Sequence, residues 1–120
     1  MQEFGLCEGV LVAVRRRAAG RKVAGIRVRF GVRHAVDQES LEYAFGVVAE
    51  GTEAAGAAVE LVTVPATITC ADCGFSGETT DVLATCPRCG GAAVTISGGD
   101  EMILESIRYE TAPDPVGPAP

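Results

Sequence analysis

Residues 70–90 read CADCGFSGETTDVLATCPRCG, and the fold turns on how their four cysteines are used. Cys70 and Cys73 enclose two residues, as do Cys86 and Cys89, and each pair is followed at once by a glycine, Gly74 or Gly90. Two intervening residues let both thiolates of a pair reach one tetrahedral ion from a tight turn. The glycine closes that turn where a positive φ is needed. Pro87 pre-sets φ in the second turn. Twelve residues separate the two knuckles. Four thiolates complete a tetrahedral shell and leave no position for water, so the pattern specifies structural zinc rather than a catalytic metal. Iron in a cage of the same ligands is not distinguished by spacing alone. A redox CxxC would call for a single pair at a helix start within a βαβ unit.

Working outward, the flanking segments change period. Leu6, Cys7, Val10, Leu11 and Val14 recur at helical spacing from about Phe4 to Ala18, with Arg15, Arg16 and Arg17 in the last turn and Gly20 after it. From Val23 to Val32, Ile26, Val28, Phe30 and Val32 alternate with Arg27, Arg29 and Gly31, which is a half-buried strand. Asp37 caps a second helix running to about Glu50, with Leu41, Ala44, Phe45 and Val48 on its apolar face. Val59 to Val64 forms a strand closed by Pro65, and Glu101 to Glu110 forms another after the turn Gly98-Gly99-Asp100.

The expected fold class is α+β: a small three-stranded sheet with two helices, plus an inserted four-cysteine zinc ribbon. Residues 1–66 and 99–111 make up the α/β domain, residues 67–98 the ribbon, and residues 112–120, with four prolines, a disordered tail.

The chain has 120 residues and a net charge of −6, unevenly spread. Residues 1–33 hold eight of the ten basic residues against Glu3 and Glu8, whereas fourteen acids follow. A pI near 4.7 argues against a nucleic-acid-binding domain. Within the ribbon, Asp72, Glu78 and Asp81 oppose Arg88, and Phe75 is the sole aromatic, which disfavours phosphate attraction and base stacking. The arginines therefore read as a helix end and the outer face of a strand, or as a surface for an acidic partner. No apolar run is long enough to span a bilayer. The opening Met1-Gln2-Glu3-Phe4 has no basic leader, so the expectation is a reducing, cytoplasmic setting in which paired CxxC motifs hold metal. There is no nucleophile–base–orienter set and no phosphate loop, so an enzyme is not expected. Cys7 reads as a buried small apolar residue and His34, the sole histidine, as a solvated turn residue. Either would complete a soft-metal site only if folding brought it to the amino terminus.

Taken together, these segments resemble the HypA/HybF family of hydrogenase nickel-incorporation proteins. The resemblance is carried by Met1-Gln2-Glu3-Phe4-Gly5-Leu6-Cys7, Val28-Arg29-Phe30-Gly31, Ser40-Leu41-Glu42-Tyr43-Ala44-Phe45, Gly51-Thr52, both cysteine knuckles and Gly99-Asp100-Glu101-Met102-Ile103-Leu104. It implies a metallochaperone that passes Ni²⁺ to the precursor of the nickel–iron hydrogenase large subunit, with a HypB-type GTPase as partner; some members also serve urease. It also implies structural Zn²⁺ on Cys70, Cys73, Cys86 and Cys89, and transient nickel at the amino terminus, here Met1, Gln2 and Glu3. Gln2 stands where the family carries a histidine. A carboxamide has no imidazole lone pair and is a poor ligand for nickel. The alternative is therefore a zinc-ribbon scaffold of a maturation complex that has lost nickel binding. In either case the partner-facing surface would be the acidic face of the second helix (Glu39, Glu42, Glu50) or the arginine cluster.

Overall fold

A computed structural model describes residues 2–80 and 85–111. The expected tail and Asp81 lie outside the described residues, as does Met1. Helix α1 (Gln2–Ala18) begins two residues earlier than its apolar period suggests. Its buried line is Cys7, Val10, Val14 and Ala18, with Leu6 and Leu11 half-buried at the margin. Strand β1 (Val23–Gly31) follows, then a single 3-10 turn over Val32–His34. Ala35 leaves that turn in the left-handed region (φ 54°, ψ 45°) and redirects the chain into α2 (Gln38–Val48). Asp37 caps α2 by accepting from the Ser40 amide at 2.8 Å, and this bond holds its carboxyl below the usual range. Beyond α2, Gly51 adopts φ +78°, and turns lead to β2 (Ala58–Val64).

β1 and β2 run parallel, with Ile26 opposite Val59 and Val28 opposite Leu61, and α2 is the crossover such a pair requires. Strand β6 (Met102–Tyr109) returns from the far end of the chain to lie antiparallel on the other side of β1, giving the order β2-β1-β6. Both helices cover one face of this sheet, where Phe30, Phe45, Leu41, Val14, Val23, Val28 and Cys7 are fully buried.

The opposite face is polar. Arg27 pairs with Glu60 (3.1 Å) and Glu105 (3.2 Å), and Arg29 reaches Glu105 at 3.4 Å. The two guanidinium groups hold the Glu105 carboxyl below its ordinary value. The expected arginine-covered outer face is therefore present, with Arg27 and Arg29 matched by acids within the chain. Gln38 guards the free edge of β2: its side-chain amide donates to the Val59 carbonyl (2.6 Å) and accepts from the Leu61 amide (2.8 Å). Those are the groups an added strand would use.

After Pro65 the chain enters a second antiparallel sheet, so the ribbon is built on strands of its own as well as on its knuckles. It comprises β3 (Ala66–Cys70), β4 (Ser76–Thr79) and β5 (Val94–Gly98) in the order β4-β3-β5. Its buried residues among those described are few: Ala66, Ile68, Cys70 and Cys86.

Gly31 joins the two sheets. A Cβ there would fall 1.9 Å from the Gly99 carbonyl carbon and 2.4 Å from the Asp100 nitrogen. Its φ of −63° is open to any residue, so space alone requires glycine.

Candidate metal centres

The cysteine knuckles repeat one local design. The Cys70 carbonyl accepts from the Gly74 amide (2.9 Å), and the Cys86 carbonyl from the Gly90 amide (2.8 Å). The Cys70 amide donates to the Phe75 carbonyl and the Cys86 amide to the Gly91 carbonyl, each at 2.9 Å. Gly74 and Gly90 close these turns at φ +76° and +75°, as the sequence pattern requires. Backbone amides then turn onto the sulfurs, with Arg88 on Cys86 and Gly91 on Cys89, both at 3.4 Å.

The four Sγ atoms lie within 4.8 Å of one another. Cys70 and Cys89 stand 3.8 Å apart, and Cys73 and Cys86 3.6 Å apart. These distances exceed the roughly 2.05 Å of a disulfide. They match the edge of about 3.8 Å that follows from Zn–S bonds of about 2.3 Å in a tetrahedron. The donor set and its geometry therefore fit tetrahedral zinc.

Without a cation the cluster cannot hold four negative charges. Burial works against the Cys86 thiolate, but the Cys89 and Arg88 amides and the neighbouring thiols outweigh it and bring Cys86 to about 7. The Gly91 amide favours the Cys89 thiolate, yet the Cys70 and Cys73 thiols with burial push Cys89 up to about 12. A divalent cation resolves this conflict by binding all four as thiolates.

At the other end of the chain, α1 starts beside the 3-10 turn. The Gln2 side-chain amide donates to the His34 carbonyl. The His34 ring is half-buried rather than solvated: Nε2 lies 2.9 Å from the Asp100 carbonyl oxygen, and the ring packs on Phe30 with centroids 5.7 Å apart. Glu3 lies in the first turn of α1, where backbone hydrogen bonding lowers its carboxyl below the ordinary value. Folding thus brings His34 to the amino-terminal segment and leaves Cys7 out. Cys7 is fully buried, its thiol faces the Leu41 carbonyl at 3.9 Å, and burial pushes it up to about 11. It is a core residue. Sequence distance, 32 residues, concealed the Gln2–His34 contact. A shallow groove between α1 and α2 adjoins this end, lined by Glu3, Phe4, Glu39, Ser40, Tyr43 and Ala44. Tyr43 is 70% exposed and meets Phe4 edge-on.

A helix-covered α+β sheet carrying a ribbon stapled by four cysteines defines a small α+β protein with a zinc-ribbon module; no helix among the described residues is long and apolar enough to cross a membrane. A family profile described as hydrogenase/urease nickel incorporation, metallochaperone, hypA matches residues 1–109. The chain belongs to that family. It is 36% identical over 110 residues to hydrogenase maturation factor HypA of Rhodobacter capsulatus, covering 89% of this chain and 97% of that one. The corresponding factor of Paracoccus denitrificans is 37% identical over 110 residues, with the same coverage. The solution structure of the Ni metallochaperone HypA from Helicobacter pylori shares the fold, with a TM-score of 0.58 over 91% of this chain and 97% of that one at 23% identity.

Proposed function

We propose that this chain is a nickel metallochaperone for nickel–iron hydrogenase maturation, acting by metal handover rather than catalysis. The family match across residues 1–109 carries the reading, because it spans the amino terminus, both sheets and both knuckles. Cys70, Cys73, Cys86 and Cys89 hold structural Zn²⁺, whose closed shell offers no open position to a reacting group. Residues 67–98 form the zinc-ribbon module, inserted into an α/β module of residues 1–66 and 99–111. Transient Ni²⁺ binds at Met1, Gln2 and Glu3, through nitrogen atoms at the amino terminus. The protein works in the cytoplasm with a HypB-type GTPase and the hydrogenase large-subunit precursor. The groove with exposed Tyr43, and Glu39 beside it, gives these partners a face adjoining the nickel end.

Complementation tests this reading. A strain lacking its own hypA should regain hydrogenase activity at limiting nickel when this chain is expressed, and need it less at high nickel. Failure to restore activity to either hydrogenase or urease, with the protein present at normal levels, would refute it. The Gln2 substitution favours a second reading, a zinc-ribbon scaffold without nickel. That protein would restore hydrogenase activity no better at limiting than at high nickel.

A further inference from the structure

The face of the β2-β1-β6 sheet turned away from the helices holds a depression of about 370 Å³ near the start of β1. Gly25, Arg27, Ala58, Glu60, Ser106 and Arg108 line it. Gly25 stands opposite Ala58 on one side and Arg108 on the other, and Arg27 stands opposite Glu60 and Ser106. Glycine inside a strand forfeits side-chain packing and often marks a close approach. A Cβ at position 25 would fall 2.5 Å from Nη2 of Arg108 and 3.1 Å from its Cζ. The guanidinium therefore lies against bare backbone, in the space that a side chain at position 25 would take.

The arginines of this face differ in what they meet. Arg27 is held by Glu60 and Glu105, and Arg29 by Glu105. The Arg108 side chain makes no ion pair or hydrogen bond among the described residues, and Glu110, two residues on, leaves it unmatched. The cations nearby are not neutralised by acids either. The Lys22 amine donates to the Ala55 carbonyl at 2.8 Å, and the Arg21 guanidinium lies 3.8 Å from the centre of the Tyr109 ring. Val23 pairs with Tyr109, and the Glu110 amide donates to the Lys22 carbonyl, so Arg21, Lys22 and Arg108 share the end of the sheet where β1 begins and β6 ends. Two of them have neutral partners and the third has none.

We propose that this depression docks a carboxylate from an acidic segment of a partner protein, with the Arg108 guanidinium as its anchor. A guanidinium presents a planar fork that meets a carboxylate with two parallel hydrogen bonds. Here the fork is seated on the sheet by Gly25 and its donors are uncommitted. The Ser106 hydroxyl, across from Arg27, is a further donor on the rim. Arg27 is engaged by its own acids, so it shapes the wall without competing for the ligand. Arg21 and Lys22 add positive charge at the same end, which favours an acidic segment over a neutral or basic one. The site goes beyond the nickel reading and does not rest on it, since it uses neither the amino terminus nor the groove beside Tyr43.

The test titrates the zinc-loaded full chain with a probe peptide, acetyl-tetraglutamate amide, at low salt. Arginine side-chain Nε–H resonances are followed in wild type, Arg108→Gln, Gly25→Ala and Arg16→Gln, with zinc content and far-ultraviolet circular dichroism verifying each fold. The peptide should bind saturably to wild type and move the Arg108 resonance. Losing the charge-assisted pair should weaken binding about tenfold or more in Arg108→Gln. Arg16→Gln removes the same charge from the exposed last turn of α1 and should change affinity by less than about twofold. Gly25→Ala keeps every charge but takes the place of the guanidinium, and should cost about threefold. No saturable binding, an unmoved Arg108 resonance, or equal losses in Arg108→Gln and Arg16→Gln would overturn the site, leaving at most a diffuse attraction to the basic end. Unchanged affinity in Gly25→Ala would overturn the seat in the depression. Displacement of the peptide by an equal concentration of inorganic phosphate would assign the guanidinium to a phosphate group and overturn the carboxylate. None of these outcomes bears on the nickel reading.

Discussion

Replacing Gly31 by alanine is expected to pull apart the junction between the two sheets while leaving the cysteine cluster intact. The added Cβ would stand 1.9 Å from the Gly99 carbonyl carbon and 2.0 Å from its oxygen. Ordinary carbon contacts begin at about 3.5 Å, so the Gly99–Asp100 backbone must retreat by roughly 1.5 Å. Three bonds cross at this point: Gly31 amide to Glu101 carbonyl (2.8 Å), Arg33 amide to Gly99 carbonyl (2.8 Å) and His34 Nε2 to Asp100 carbonyl (2.9 Å). At about 1 kcal/mol net each, their loss predicts a destabilisation of about 3 kcal/mol. Urea unfolding of the zinc-loaded protein, followed by circular dichroism, should show a midpoint lower by roughly 1–3 M. Zinc content should stay at the wild-type value. Gly46→Ala is the control, since a Cβ there meets nothing within 4 Å. It lies inside α2 and should gain up to about 1 kcal/mol from helix propensity. A Gly31→Ala loss below about 1 kcal/mol would refute the reasoning, because the crowding would then be relieved without breaking those bonds.

Other perturbations test separate parts of the structure. Chelating the zinc should melt the β4-β3-β5 sheet, whose buried apolar residues are few, and spare the β2-β1-β6 sheet; residue-resolved hydrogen exchange reads this directly. Cys7, raised to about 11 against an ordinary 9.0, favours the folded state fully below pH 9. That contribution is lost as pH rises towards 11, because the unfolded thiol ionises first. The alkaline decline of unfolding free energy should therefore be shallower in Cys7→Ala than in wild type. Gln38→Ala exposes the Val59 carbonyl and Leu61 amide at the β2 edge. It should cost about 1–2 kcal/mol and raise concentration-dependent self-association in sedimentation experiments.

The local parts of this protein were legible in the sequence because their causes are local. The Cys-X-X-Cys-Gly spacing dictates each knuckle, alternation of Ile26, Val28 and Phe30 with arginines dictates β1, and Asp37 dictates where α2 starts. Helix ends were less legible: α1 reaches back to Gln2, and α2 gives way to a C-cap at Ala49. The ribbon's strands were harder to read: β3 alternates, with Ala66, Ile68 and Cys70 inward, but it is only five residues long and runs straight into the first knuckle, and metal more than apolar burial stabilises the sheet. Strand order depended on which distant edges met, so nothing in the separate runs of β2 and β6 placed both beside β1.

By itself, then, the sequence determined the two helices, the strands β1, β2 and β6, the cysteine knuckles and the missing imidazole at position 2. Tertiary structure alone decided the fate of the two spare ligand residues. Cys7 follows the apolar face of α1 inward, where desolvation keeps its thiol protonated. His34 is drawn against the amino-terminal segment by the Gly31–Gly99 close approach and the carbonyl of Asp100, contacts between residues far apart in the chain that no local pattern encodes.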